Sequence, residues 1–150
     1  MTNAPLSREG SFRLDAPMAR VLPLFTPQGE RAWAPGWDPH MLSGDTGRGS
    51  AFRTTGANGV ESVWIVTAFE PEHGRAGYAR IAQGSNIGLV DVACTPVGDD
   101  ATEVSVRYTL TGLDAAGDAF AREFLAAERY DAFLDAWRGW ITQALARDAA

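Results

Sequence analysis

The side chains able to carry chemistry are few and scattered. His40 and His73 fall in separate loops, with no HxH or HxxxH pair. A metal ion needs three or four converging ligands, so no metal site is expected. Cys94 is the sole cysteine, which excludes a disulfide within the chain and a cysteine metal cluster. Asp91 sits between Val90 and Val92. In a dry cavity its pKa would rise and it could act as an acid or base. Strand alternation instead puts Val90, Val92 and Cys94 on one face and Asp91 on the wet one. Cys94 then reads as a small buried hydrophobe. Glu30-Arg31 is the charge pair inside a Trp-bearing segment, where the arginine can hold a carboxylate head group or pin the turn. Neither a GxSxG elbow nor a GxxxxGK[ST] loop occurs, so a serine nucleophile and a phosphate cradle are not expected. Catalytic residues stay unassigned, and no cofactor is expected.

Aromatic residues carry the stronger signal. The chain has five tryptophans, Trp33, Trp37, Trp64, Trp137 and Trp140. Aromatic walls suit flat apolar ligands, and a buried indole N–H needs a partner that a ligand can supply. The competing account is that these rings only fill a core. The lining candidates are Trp33, Trp37, Phe52, Trp64, Tyr78, Tyr108, Phe133, Trp137 and Ile141. Tyr108 shares a strand face with core valines, so its hydroxyl must find a partner in protein, water or ligand. Strand parity leaves the direction of Tyr78 open. Arg80 shares its face, and an outward arginine would carry Tyr78 outward with it.

The elements that must position these residues follow from periodicity. Ser7–Leu14 reads as a first strand. Asp15-Ala16-Pro17 reads as a helix start, with a carboxylate N-cap and an early proline. Met18–Phe25 is a short apolar helix, ended by Pro27. Gln28–Asp38 is a compact turn or short helix, and Pro39–Gly49 is loop-like. Five strands follow: Ser50–Thr55, Glu61–Phe69, Arg75–Gln83, Asn86–Pro96 and Thr102–Leu113. Their connections, beginning with the Gly56–Gly59 turn, are too short for crossover helices, so an antiparallel meander is expected. In the fifth strand Val104, Val106, Tyr108 and Leu110 alternate with Glu103, Ser105, Arg107 and Thr109. That pattern makes a sheet dry on one side, which needs a cover.

The cover is legible at the C-terminus. Asp114 caps a short helix over Ala115–Leu125. A long amphipathic helix from about Phe124 to Arg147 then presents Tyr130, Phe133, Leu134, Trp137, Trp140, Ile141, Ala144 and Leu145 at helical spacing. Asp135 and Arg138 can pair at i,i+3. Gly139 costs this helix about 1 kcal/mol against alanine, which close packing against a strand or the second helix would explain.

Bulk properties narrow the function classes. The chain has 150 residues, a natural size for one domain spanning 1–150 with an ordered core over about 7–147. The net charge is −6 and the thirteen basic residues are all arginines, spread from Arg8 to Arg147. Without a positive patch, nucleic acid is not an expected partner. The absence of lysine reads as codon bias in a GC-rich bacterial genome. No apolar run reaches the ~18 residues of a membrane span, and no secretory leader is visible. No membrane insertion and a cytoplasmic location are therefore expected. An edge strand such as Ser7–Leu14 can pair across a homodimer.

Three stretches resemble a known family. Leu24-Phe25-Thr26-Pro27-Gln28-Gly29-Glu30-Arg31, with Trp33 and Pro35-Gly36-Trp37-Asp38-Pro39, is similar to a signature of bacterial polyketide-cyclase/dehydrase-like proteins. Ser62-Val63-Trp64-Ile65-Val66 resembles their central strand. Val104–Leu113, a short segment and a Trp-bearing helix resemble their C-terminal half. The resemblance spans roughly 11–145 and places the chain with the START-like/SRPBCC superfamily. It implies an α+β helix-grip fold, in which a curved antiparallel sheet of about six or seven strands wraps a long C-terminal helix. Two short helices follow the first strand. It also implies a cavity for a small hydrophobic or aromatic molecule. One alternative is a cyclase or dehydratase-type lyase acting on a polyketide-like or aromatic substrate. A second is a co-chaperone-like interaction module, since this fold hosts unrelated functions.

Overall fold

The computed structural model describes residues 4–56 and 59–149. Its sheet has seven strands: β1 (Leu6–Leu14), β2 (His40–Ser43), β3 (Ala51–Thr55), β4 (Glu61–Glu70), β5 (Arg75–Ala82), β6 (Asn86–Val97) and β7 (Ala101–Gly112). The order is β1-β7-β6-β5-β4-β3-β2, and every pairing is antiparallel. Strands β3 to β7 are the expected meander. The first strand returns to β7, with Phe12 opposite Val104. This is the helix-grip arrangement implied by the resemblance.

The inner face is set by alternation. Along β7, Val104, Val106, Tyr108 and Leu110 are buried, as are Val90, Val92 and Cys94 on β6. Tyr78 and Arg80 both point inward, against the outward alternative. In cross-strand register Tyr78 faces Val66 and Val90, and Arg80 faces Trp64 and Gly88, all on the inner side.

The outer face is less wet than expected. Val63, Ile65, Ile81, Ile87 and Leu89 are 39% to 45% exposed. Register aligns Val63 with Ile81 and Ile87, and Ile65 with Ala79 and Leu89. Such side chains suit a pleated strand even where it faces solvent.

The segment expected as loop, Pro39–Gly49, contains β2. This edge strand is short and mostly exposed, so no apolar alternation marks it. The turn expected at Gly56–Gly59 lies partly outside the described residues, at 57–58.

The short helices after β1 are α1 (Met18–Val21), continued by a 3-10 turn at Leu22–Phe25, and a second 3-10 turn at Gly29–Ala32. Asp15 is not the cap. Pro17 occupies the N-cap position without a side-chain bond, and Asp15 makes only an exposed pair with Arg13 at 3.5 Å. Asp114 does cap α2 (Ala115–Phe124), accepting from the Gly117 N–H at 2.8 Å.

The long helix, α3, runs Ala127–Ala149 and begins after a break from α2. The Arg8 side chain donates to the Leu125 carbonyl at that break, tying it to β1. Tyr130, Leu134, Trp137, Ile141 and Ala144 form its buried stripe. The Tyr130 hydroxyl donates to the Val106 carbonyl at 2.6 Å. Helix and β1 touch closely at Gly10, where a Cβ would stand 2.6 Å from Leu134 Cδ1. Gly139 is different: a Cβ there would meet nothing within 4 Å, so packing does not explain it. No helix among the described residues is long and apolar enough to cross a membrane.

Candidate functional site

Helix α3 does not close completely on the sheet. A cavity of about 210 Å³ remains between them. The sheet contributes Trp64, Tyr78, Val90, Val92 and Tyr108, and α3 contributes Phe133, Trp137 and Trp140. The segment between α1 and β2 supplies Phe25, Glu30, Trp33, Ala34, Pro35 and Trp37.

The walls are held by ring-on-ring packing. Trp137 meets Trp33 edge-on at 5.0 Å, lies near-parallel to Phe25 at 6.1 Å and touches Phe133 at 5.2 Å. Trp64 meets Trp37 at 5.3 Å and Tyr78 at 5.7 Å, both edge-on. Centroid spacings of this size suit aromatic pairs. Three indole N–H groups bond within the protein. Trp33 donates to the Leu24 carbonyl at 2.8 Å, Trp37 to the Pro27 carbonyl at 2.8 Å and Trp64 to the Thr54 hydroxyl at 3.0 Å.

One carboxyl reaches this aromatic interior. The Thr26 hydroxyl donates to the Pro23 carbonyl at 2.8 Å and accepts from the Gly29 N–H at 2.9 Å. A Cβ on Gly29 would lie 1.9 Å from the Pro23 carbonyl oxygen, so only glycine lets this turn close. The turn sends Glu30 inward, leaving it 6% exposed. The Tyr78 hydroxyl donates to Glu30 Oε2 at 2.7 Å. Burial pushes the Glu30 carboxyl up to about 8, against the opposing pull of the Tyr78 hydrogen bond. Tyr78 is itself raised, by burial first and then by Glu30.

Several polar atoms of the residues lining the cavity have no protein partner among the described residues, the indole N–H groups of Trp137 and Trp140 among them. Glu30 Oε1 and the Tyr108 hydroxyl make no hydrogen bond, and neither is sealed from the cavity. Burial raises the Tyr108 phenol, with Arg80 acting in the opposite direction. Arg80 lies inward but off the cavity wall. Its guanidinium stands 5.6 Å from the Trp64 ring centre and donates to Asn86 Oδ1 at 3.0 Å, while its Nε is buried without a partner. A phenol and a carboxylic acid facing an apolar space can bind an oxygen atom or move a proton.

Of the sequence-derived lining residues, Trp33, Trp37, Trp64, Tyr78, Tyr108, Phe133 and Trp137 border the cavity. Phe52 and Ile141 do not. Both are fully buried; Phe52 stacks behind Trp64 at 5.6 Å and 5°, and Ile141 belongs to the core. Arg31 pins the turn, donating to Asp38 at 2.7 Å and to the Pro39 carbonyl at 2.8 Å. Sequence reasoning missed Glu30 as an inward group. Its only signal was its place beside Arg31 in a segment dense in tryptophan. Asp91 is on the outer face as expected, and Cys94 is a buried thiol pushed up to about 12 by burial. No three His, Cys, Asp or Glu side chains among the described residues converge to hold a metal ion.

Known proteins share this architecture at low identity. The structure of norcoclaurine synthase from Thalictrum flavum, in complex with dopamine and hydroxybenzaldehyde, superposes with a TM-score of 0.68 at 13% identity. That match covers 93% of this chain and 88% of the other. The Zhui aromatase/cyclase from Streptomyces sp. R1128 gives 0.67 at 15% identity, over 96% of both chains. An uncharacterised protein from Rhizobium leguminosarum gives 0.62 at 17% identity, over 94% of this chain and 99% of the other. At such identity the likeness concerns the fold. No curated protein sequence matches the chain. The sequence profile described as polyketide cyclase/dehydrase and lipid transport matches residues 6–139, and the chain belongs to that family within the START-like/SRPBCC superfamily.

Proposed function

We propose that this protein binds a small apolar or aromatic molecule in the cavity between α3 and the sheet. The observation that carries the reading is a 210 Å³ space that thirteen aromatic, aliphatic and small side chains and one carboxyl surround without filling. Interiors are normally packed to crystal density, with few voids larger than a water molecule. An apolar space of this size therefore has a use as a ligand site.

Quenching of tryptophan fluorescence by a panel of hydrophobic compounds tests the reading, with native mass spectrometry as a second readout. Trp137 lines the cavity and packs against Phe25, Trp33, Tyr108 and Phe133, so Trp137→Ala is expected to abolish binding and to weaken the fold by about 3–5 kcal/mol. Binding that persists unchanged in that variant would place the pocket elsewhere.

A second reading is a lyase-type activity on an aromatic or polyketide-like substrate. The buried Glu30–Tyr78 pair favours it, because a carboxyl with a pKa of about 8 is poised for proton transfer near neutrality. Glu30→Gln keeps the shape but cannot carry the proton. It should retain binding of any substrate found in the panel and lose turnover. Undiminished turnover would end this reading.

A further inference from the structure

Resting on the binding reading above, we infer that the cavity takes a mono- or bicyclic aromatic ketone or aldehyde, with its carbonyl oxygen held jointly by Glu30 and Tyr108. The size limit comes from the volume. A dry cavity of about 150 Å³ accepts a benzene, whereas drug-sized ligands occupy roughly 300–1,000 Å³. A space of 210 Å³ lies between. It seats one or two fused rings, and a third ring or a long acyl chain would project beyond it. The flat shape follows from walls of Trp33, Trp64, Phe133 and Trp137.

The carbonyl follows from which atoms are spoken for. Glu30 Oε2 accepts from the Tyr78 hydroxyl at 2.7 Å. A neutral acid that keeps this bond as acceptor carries its proton on Oε1, the oxygen left open to the cavity. The Tyr108 hydroxyl is open as well. Both atoms donate, like the unpartnered indole N–H groups of Trp137 and Trp140 on the same wall, so the open groups call for an acceptor, and a ligand carbonyl has two lone pairs to offer Glu30 and Tyr108. An apolar ligand without that oxygen would cover both donors and leave them unsatisfied, which costs affinity. The groups facing Glu30 are Tyr78 from β5 and Tyr108 from β7. The α3 residues opposite are Phe133, Trp137 and Trp140, which carry no charge. Arg31, on the same turn, is turned away to Asp38. The inward Arg80 of β5 acts on Tyr108 rather than on Glu30, whose carboxyl is shifted by burial and by the Tyr78 hydrogen bond alone.

Matched probes test this. 1-Tetralone, tetralin and anthrone are titrated against the protein by tryptophan quenching at pH 6.5. Tetralone is expected to bind at least tenfold more tightly than tetralin, the same skeleton without the oxygen, and more tightly than anthrone. In Tyr108→Phe and Glu30→Leu the ratio of tetralone to tetralin affinity should fall several-fold, whatever each change does to tetralin binding itself. Glu30→Gln should keep the advantage through its amide N–H and lose the decline that the native protein shows as pH rises past about 8. If tetralin binds and tetralone gains nothing, the carbonyl assignment is overturned while the cavity stands as a binding site. Anthrone binding as tightly as tetralone would overturn the size limit. If no probe binds, the binding reading itself fails.

Discussion

Glu30 is the residue whose chemistry departs furthest from its ordinary state. Its carboxyl, normally near 4.5, is raised to about 8 because burial disfavours the carboxylate. Between those values the folded protein keeps a proton that the unfolded chain has released. The group's contribution to stability is therefore complete below about pH 4.5 and is lost as pH rises to about 8. Each unit is worth about 1.4 kcal/mol, so the swing is a few kcal/mol at most. Glu30→Gln removes the titration. Urea unfolding at pH 5, 6.5 and 8 should show the native protein losing stability against this variant across the series. A constant difference would mean that Glu30 does not titrate in this window. Tyr78→Phe removes a hydrogen bond that favours the charged form, so the Glu30 carbon signal in NMR should titrate still higher.

At the scale of elements, α3 carries a removable flaw. Gly139 lies inside the helix with open space around it. Glycine there costs about 1 kcal/mol against alanine. Gly139→Ala is expected to stabilise the fold by that amount and raise Tm by about 2–4 °C in a domain of this length. A fall in Tm would show that the backbone there is not free to accept a side chain. Helix and sheet are joined by side chains that reach a backbone carbonyl, Tyr130 to Val106 and Arg8 to Leu125. Such bonds fix the start of the helix against the sheet, while at its middle Trp137 meets Phe25 and Trp33 as well as Tyr108 of β7. The cavity lies among these rings.

Across the whole molecule the two faces of the sheet do different work. Phe52 is fully buried on β3 and stacks on Trp64. Ile65, one residue beyond Trp64 and on the opposite face, is 45% exposed. Phe52→Ala should cost about 3–5 kcal/mol by opening a void behind the cavity wall. Ile65→Thr, which keeps the β-branch, should stay within about 0.5 kcal/mol. Thermal unfolding of both variants measures the contrast, and equal losses would mean that the outer face is covered in solution.

Local periodicity determined much of this protein. The meander, the capping of α2 by Asp114 and the buried stripe of α3 are all patterns within one stretch of chain, where a side chain's direction follows from its neighbours. Most aromatic residues of the wall were legible for the same reason. The tertiary structure alone decided which of them face open space. Phe52 and Ile141 are as apolar as their neighbours, but Trp64 and the core stand between them and the cavity. The inward turn of Tyr78 and Arg80 depended on cross-strand register with β4 and β6, which no single strand encodes. Edge strand β2 depended on its pairing with β3. Glu30 is the clearest case. A glutamate in a polar-looking turn becomes a buried acid only because that turn packs over Tyr78, forty-eight residues away.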